Sequence, residues 1–512
     1  MDASDYLSKI KPLDELTAVC AALKSQGKRI ALCHGVFDLL HPGHIRHFAA
    51  AKKFGDVLVV SLTRDEFVNK GPGRPAFTQD LRAETLAALE AIDYVTLNEP
   101  VASALPVIDR IRPDFYVKGV EYKEQAGGFT GNRKLEKEAV ESHGGQMVFT
   151  DDIVFSSTKL LNNHFSVYPE DAQIYLRDFR NRWTPDAVIA HLDKLKDMKV
   201  LVIGDATIDE YHYTKPLGKS GKENLVVSKF ENAETMAGGV FVLANHVASF
   251  CGQVTMVSCL GSQDSREAFV RERLAPNVIP KFFYRDDAVT TVKRRFLDSA
   301  FLNKLFEVYY FDDKPLAEEI EQQVWRYLSE ELPKYDCVIV LDYAHGFLSD
   351  NLINLICGLA PFLAVNTQTN AANTGFNLIT KYPRTDYVCI SEPELRLAMR
   401  DRHGNLEMLV RRVSELLGAQ RVMVTRGNRG SVSYSPEQGV CTTPVLSQKV
   451  LDRVGAGDAL LGLTAPLVAA GTPLELVGFL GGVAGAAAVT IVGNRTAIQR
   501  KDIARSVKTM LS

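Results

Sequence analysis

The sequence predicts an α/β fold built twice over: two parallel sheets covered by helices, the second carrying a small sheet of shorter strands. Three observations predict it. Apolar strand-like runs alternate with helical ones from residue 29 to residue 150, and the same order restarts at KVLVIGD (199–205). Alternation of that kind marks parallel strands buried on both faces. Two glycine-rich turns, GVFDLLHPGHIRHF (35–48) and LDRVGAGDALLG (451–462), then sit where such sheets bind phosphate groups.

In the first half, RIALCHGVF (29–37) reads as a buried strand leading into a helix over 43–54. DVLVVSLT (56–63) is a strand, LRAETLAALEAI (81–92) a helix, and YVTL (94–97), DFYVKG (114–119) and GQMVFT (145–150) further strands. A charge-rich helical stretch over 168–197 separates the halves. VIVLDYAHG (338–346), PFLAVNTQ (361–368), YVCI (387–390) and RVMVTRG (421–427) are strands of the second sheet. VVSKFE, VTTVKRRFLD and KLFEVYYFDD (304–313) read as short, antiparallel strands of a flap. The expected division is residues 1–165, a helical connector over 166–197, and residues 198–512.

At 512 residues the chain is too long for one core. A formal charge of −3 argues against a nucleic-acid partner. Eight scattered cysteines without a CxxC pair point to reduced, buried thiols rather than disulfides or zinc. The polar start MDASDYLSKIKPLDEL does not read as a signal peptide, and Gly, Pro, Thr and Glu475 break the longest apolar stretch (459–491), which reads as paired buried helices. A cytoplasmic protein without a membrane partner is expected.

In HPGH (41–44), a turn leaving a parallel strand presents backbone N–H groups and a helix N-terminus to an anion. His41 and His44 there can donate to phosphate oxygens and support the charge of a departing pyrophosphate. Gly43 allows close backbone approach and Pro42 stiffens the turn. Asp38 reads either as a holder of a histidine or metal ion or as a turn cap, and His47 as structural or exposed. Lys52 and Lys53 lie on a helix where they could equally be solvated. Arg82 reads as a phosphate contact or a surface ion pair.

GVFDLLHPGHIRHF resembles the signature of the HxGH nucleotidyltransferases, in particular their cytidylyltransferase-like branch, over residues 28–165. AKKFGD, NKGPGRP, QDLRAETLAAL, VKGVEY and FSSTKL resemble further family segments in order. The resemblance implies a Rossmann-like domain that couples an acceptor phosphate to the α-phosphorus of ATP or CTP, with Mg²⁺ and release of pyrophosphate. It implies catalytic roles for His41, His44 and Lys70. Gly35, Phe37, Lys52, Arg82, Lys118, Ser156, Ser157 and Thr158 would lie on the nucleotide.

DRVGAGDALLG resembles the signature of ribokinase-type (PfkB) sugar kinases, and VIGDATIDEY, AGGVFVLANHVASFCG, LDYAHGFLS and VTRGNRGS extend the likeness over 198–510. The resemblance implies a ribokinase-like domain with a small β lid, binding ATP and Mg²⁺. Gly455, Ala456 and Gly457 would form an anion hole, and Asp458 would take the proton of the sugar hydroxyl. Asp205, Asp209, Gly238 and Gly239 would bind the sugar, Thr425 and Arg426 the nucleotide, and Glu394 the metal. Four positions depart from the pattern: Val242, Asn366, Ser391 and Val454.

Together the halves resemble the bifunctional ADP-heptose synthases, with the domain order reversed. The expectation is a kinase and nucleotidyltransferase that makes a nucleotide-activated, heptose-like sugar for a surface polysaccharide, as a homodimer or larger homo-oligomer. The alternatives are a nucleotidyltransferase with a silent kinase-like domain, and a regulatory sensor, against which the intact HPGH and GAGD motifs argue.

Overall fold

The computed structural model describes residues 6–68, 74–119, 132–150, 168–447 and 450–511. It divides into two compact units, Met1–Val167 and Tyr168–Ser512.

The first unit holds five parallel strands, β1 (Ile30–Gly35), β2 (Val57–Leu62), β3 (Tyr94–Leu97), β4 (Phe115–Gly119) and β5 (Gln146–Thr150), in the order β3-β2-β1-β4-β5. Successive β1 residues serve opposite faces. Ile30 and Leu32 pack with Leu16, Val107 and Ile108, whereas Ala31 and Cys33 pack with Phe48, Ala51 and Leu86. Each large apolar side chain so buried contributes roughly 1.5–3 kcal/mol. Strand order reverses between β1 and β4, which opens a crevice at the carboxyl end of β1. The helix after β1 is Pro42–Lys52 rather than 43–54, and β1 stops at Gly35 because Phe37 takes a left-handed φ of 46°. The expected 81–92 helix runs Gln79–Ala87.

The stretch set aside as a connector folds into two helices, Glu170–Arg180 and Pro185–Asp193, that pack within the second unit. Phe179 stacks on Phe479 at 4.3 Å, and the Trp183 indole donates to Glu475 at 3.1 Å. The amphipathic pattern that made this stretch helical is what docks it there.

The second unit's strands are β6 (Lys199–Gly204), β7 (Ala206–Lys219), β8 (Val226–Gly239), β9 (Gln253–Gly261), β10 (Val278–Arg285), β11 (Val292–Asp298), β12 (Lys304–Tyr310), β13 (Cys337–Asp342), β14 (Leu363–Thr367), β15 (Tyr387–Ser391), β16 (Arg421–Thr425), β17 (Ser431–Ser435) and β18 (Gly439–Thr443). Nine form one sheet, β10-β9-β6-β13-β14-β15-β16-β17-β18, parallel up to β16. The lid is a separate sheet, β12-β11-β7-β8. Its strands are neither all short nor all antiparallel: β7 and β8 are 14 residues each, and β11 runs parallel to β7. The apolar stretch near the C-terminus forms two buried helices, Ala456–Ala469 and Leu474–Ala488, and no described helix is long and apolar enough to cross a membrane.

Candidate active sites

In the first unit, His41 occupies the N-cap position of the helix Pro42–Lys52 and Pro42 takes its first position, where a missing N–H costs nothing. One helical turn then brings His44 against His41, their rings stacked at 3.8 Å and 22°. Phe37 meets His44 edge-on at 5.5 Å, and a Cβ on Gly35 would lie 3.0 Å from the Phe37 ring. Two imidazoles at a helix N-terminus, above the carboxyl end of β1, can bind and neutralise phosphate.

Several expected nucleotide contacts serve other ends. Lys52 sits in the last turn of that helix, where its ammonium meets Asp93 at 2.5 Å and the Asp56 carbonyl at 2.7 Å. Ten residues of helix separate it from His41 by roughly 15 Å. Arg82 is not a surface ion pair. It is 2% exposed and donates to the carbonyls of Val36, Thr63 and Phe77 and to Asp65, stapling the loops after β1 and β2. Asp38 accepts from Arg74 Nε at 2.5 Å and from the Ala76 and Phe77 amides, so it pins the 74–77 segment rather than a histidine or metal. Lys118 lies 4.7 Å above the Tyr116 ring and 3.6 Å from Glu136 Oε2. His47 is structural, bonded to Thr150 and Cys33. Lys70, Ser156, Ser157 and Thr158 lie outside the described residues.

Sequence reasoning missed His34, whose ring nitrogens meet the Ser61 and Thr63 hydroxyls at 3.2 and 3.3 Å. Burial, helped by the Lys118 charge, lowers its pKa to about 3 and keeps it neutral. The buried strand pattern hid it.

In the second unit the helix Ala456–Ala469 starts from Gly455, whose φ of 80° only glycine adopts readily. A Cβ there would stand 2.1 Å from Asn494 Oδ1. The turn places Gly455, Gly457 and Asp458 on a cavity of about 250 Å³ with Asp209. Asp458 is buried and its pKa is pushed up to about 7, first by burial and then by the Asp209 charge; Lys293, Gln368 and Tyr343 oppose the shift. Asp209 is held by Arg295 at 2.5 Å and Asn494 at 2.8 Å, and Gly238 has no Cβ because one would fall 2.0 Å from Asp209 Oδ2. A Cβ on Gly239, φ 54°, would fall 2.9 Å from the Asp205 carbonyl.

Lys293, Arg295, Tyr343, Gln368, Arg453 and Asn494 also line this cavity and escaped sequence reasoning. Lys293 and Arg295, two apart on β11, necessarily share a face, and that spacing was a readable signal.

Other expected contacts point elsewhere. Asp205 accepts the Tyr343 amide at 2.8 Å and does not line the cavity, and burial with the neighbouring Asp342 charge raises its pKa. Glu394 closes a capping box with Ser391 and accepts the Thr369 amide at 3.0 Å, so both its oxygens are committed to backbone. No group of three or more His, Cys, Asp or Glu among the described residues is placed to hold a metal ion. Arg426 donates to Glu392 at 3.1 Å, and Thr425 ends β16 in register with Ser391. Val242 is buried and lines a different cavity, Asn366 donates to the Cys389 carbonyl, and Val454 lines the cavity beside Asp458.

The sequence profile of the pfkB family carbohydrate kinases matches residues 197–501, more than half of the chain. The chain belongs to the pfkB family of carbohydrate kinases. A cytidylyltransferase-like profile matches residues 32–219, so this pfkB member carries a cytidylyltransferase-like domain ahead of its kinase domain. Among curated relatives, the bifunctional protein HldE of Geobacter sulfurreducens is 38% identical over 169 residues, 32% of each chain. That of Geotalea uraniireducens is 41% identical over 145 residues, 28% of each. The chain thus spans about a third of the length of the curated relatives it matches. A mutant phosphofructokinase-2 from Escherichia coli matches at 16% identity and a TM-score of 0.48, over 61% of this chain and 99% of that one. Arabidopsis thaliana ribokinase complexed with ribose and ATP matches at 17% and 0.46, over 62% and 99%.

Proposed function

We propose that the chain is a bifunctional enzyme that phosphorylates a sugar, or sugar phosphate, and couples a sugar phosphate to a nucleotide, giving an activated heptose-like sugar. The observation that carries the kinase half is Asp458 at a glycine-started helix N-terminus on a cavity with Asp209. The acceptor hydroxyl gives its proton to Asp458 as its oxygen attacks the γ-phosphorus of ATP, and the amides at 455–457 stabilise the transferring group. Thr207 Oγ1 lines the same cavity, is buried, and has no hydrogen-bond partner among the described residues, which suits a hydroxylated ligand. Lys293 and Arg453, which line the cavity, favour an acceptor that already carries phosphate. Mg²⁺ enters as the nucleotide complex. A silent kinase domain is the second reading, favoured by Glu394, whose two oxygens accept backbone amides. ADP formation across a panel of sugars and sugar phosphates decides between them: the main reading requires turnover that Asp458→Asn abolishes.

In the first unit the stacked His41 and His44 support the charge on pyrophosphate as the acceptor phosphate attacks ATP or CTP. Product analysis by mass spectrometry with either nucleotide identifies the base.

The active form is a homo-oligomer assembled through the lid, in the cytoplasm. Residues next to cavity-facing Arg295 point outward. There Phe230, His212, Phe296 and Phe306 form a row across β8, β7, β11 and β12, with ring centroids 5.6, 5.2 and 4.5 Å apart. Phe230 and Phe306 are more than half exposed, as an unpaired interface would be.

A further inference from the structure

Gln368 follows β14, and its backbone is fixed without help from its side chain. Its N–H donates to the Asp342 carbonyl at 2.9 Å, and its carbonyl accepts from Asn373 and Asn377, both at 3.2 Å. The same two amides hold the Tyr343 carbonyl at 2.8 Å and the Asp342 carbonyl at 2.9 Å, and both asparagines are buried. The loop after β14 is thereby sewn to the loop after β13. The Gln368 side chain is left to reach across the cavity, where Nε2 donates to Asp458 Oδ1 at 3.3 Å.

We propose that Gln368 is a positioning residue for phosphoryl transfer, whose amide orients the Asp458 carboxylate toward the acceptor and holds it ionised. The inference rests on the kinase reading above. A buried carboxylate facing a second one tends to keep its proton, and a protonated Asp458 cannot take the proton of an attacking hydroxyl. Asp209 from β7 pushes Asp458 toward the neutral form, while Lys293 from β11 and the Tyr343 hydroxyl favour the charged form. Arg295 and Arg453 border the same cavity, with Arg295 engaged by Asp209. An amide N–H offered to Oδ1 favours the carboxylate and fixes its rotation at once.

The test uses the full-length protein with Gln368→Leu, which removes the donor, and the isosteric Gln368→Glu, which adds a like charge. ADP formation is followed against pH, and Asp458 is titrated directly by carbon-13 carboxylate NMR, with Asp458→Asn assigning the signal. Losing one hydrogen bond to the charged form should move the acid limb of the rate, and the NMR midpoint, up by about one pH unit in the Leu variant. The Glu variant should move both further, with rates recovering at alkaline pH. An unmoved midpoint, or a loss of rate that is equal at every pH, overturns the proposal. If the wild type makes no Asp458-dependent ADP, the kinase reading fails, and the NMR midpoints alone still decide whether Gln368 controls Asp458.

Discussion

At Asp458 a folded pKa of about 7 stands above the ordinary carboxylate value of about 3.9, so the folded state binds the proton more tightly than the unfolded chain does. That contribution to stability is fully present below about pH 4 and is lost as pH rises toward 7. Asp458→Asn, which needs no proton, should therefore gain stability relative to wild type between about pH 5 and 8, read as a growing difference in Tm, while abolishing acceptor-dependent ADP formation. In the first unit, His44→Ala should lower pyrophosphate release by roughly 10²-fold, the effect of losing one preorganised donor. Lys52→Met should leave that rate within about twofold, because its ammonium is spent on Asp93 in a half-buried ion pair away from the histidines. Near wild-type release from His44→Ala, or a dead Lys52→Met, would overturn these roles.

Elements carried most of what was legible. The two glycine-rich turns were readable because glycine and proline fix backbone conformation locally, and each opens a helix at the carboxyl end of a sheet. Long-range partners were not readable. Arg82 follows a helix start as a phosphate ligand would, yet its acceptors come from Val36, Thr63, Phe77 and Asp65, which only the fold assembles. Glu394 kept its identity while the Ser391 and Thr369 amides took one of its oxygens each. The strand β11 shows the reverse: its Lys293 and Arg295 share a cavity face by simple alternation, but nothing local said that a lid strand would border Asp458. At this scale Gly238→Ala should raise KM for the acceptor with little change in fold, because its Cβ would displace Asp209 rather than the core. Steady-state kinetics beside far-UV circular dichroism would show it.

Across the whole molecule, contacts separate into two units, and a fragment ending at residue 167 should retain nucleotidyl transfer on a suitable sugar phosphate. A folded but inactive fragment would show that the second unit completes the site. Phe306→Glu should break the aromatic row of the lid and reduce the assembly to monomers, measured by light scattering at fixed concentration. A further consequence lies in Asn494. One amide side chain donates to Asp209, lies 3.4 Å from where a Gly238 Cβ would stand, and packs its oxygen against Gly455. The Asp209 side of the cavity and the Gly455 side are thus hinged on a single residue. Substitutions at 209, 238 and 455 should consequently be strongly epistatic, their costs failing to add in double-mutant cycles. Evolutionary drift toward new acceptors would be channelled away from those positions and onto other residues of the lid, such as Lys293.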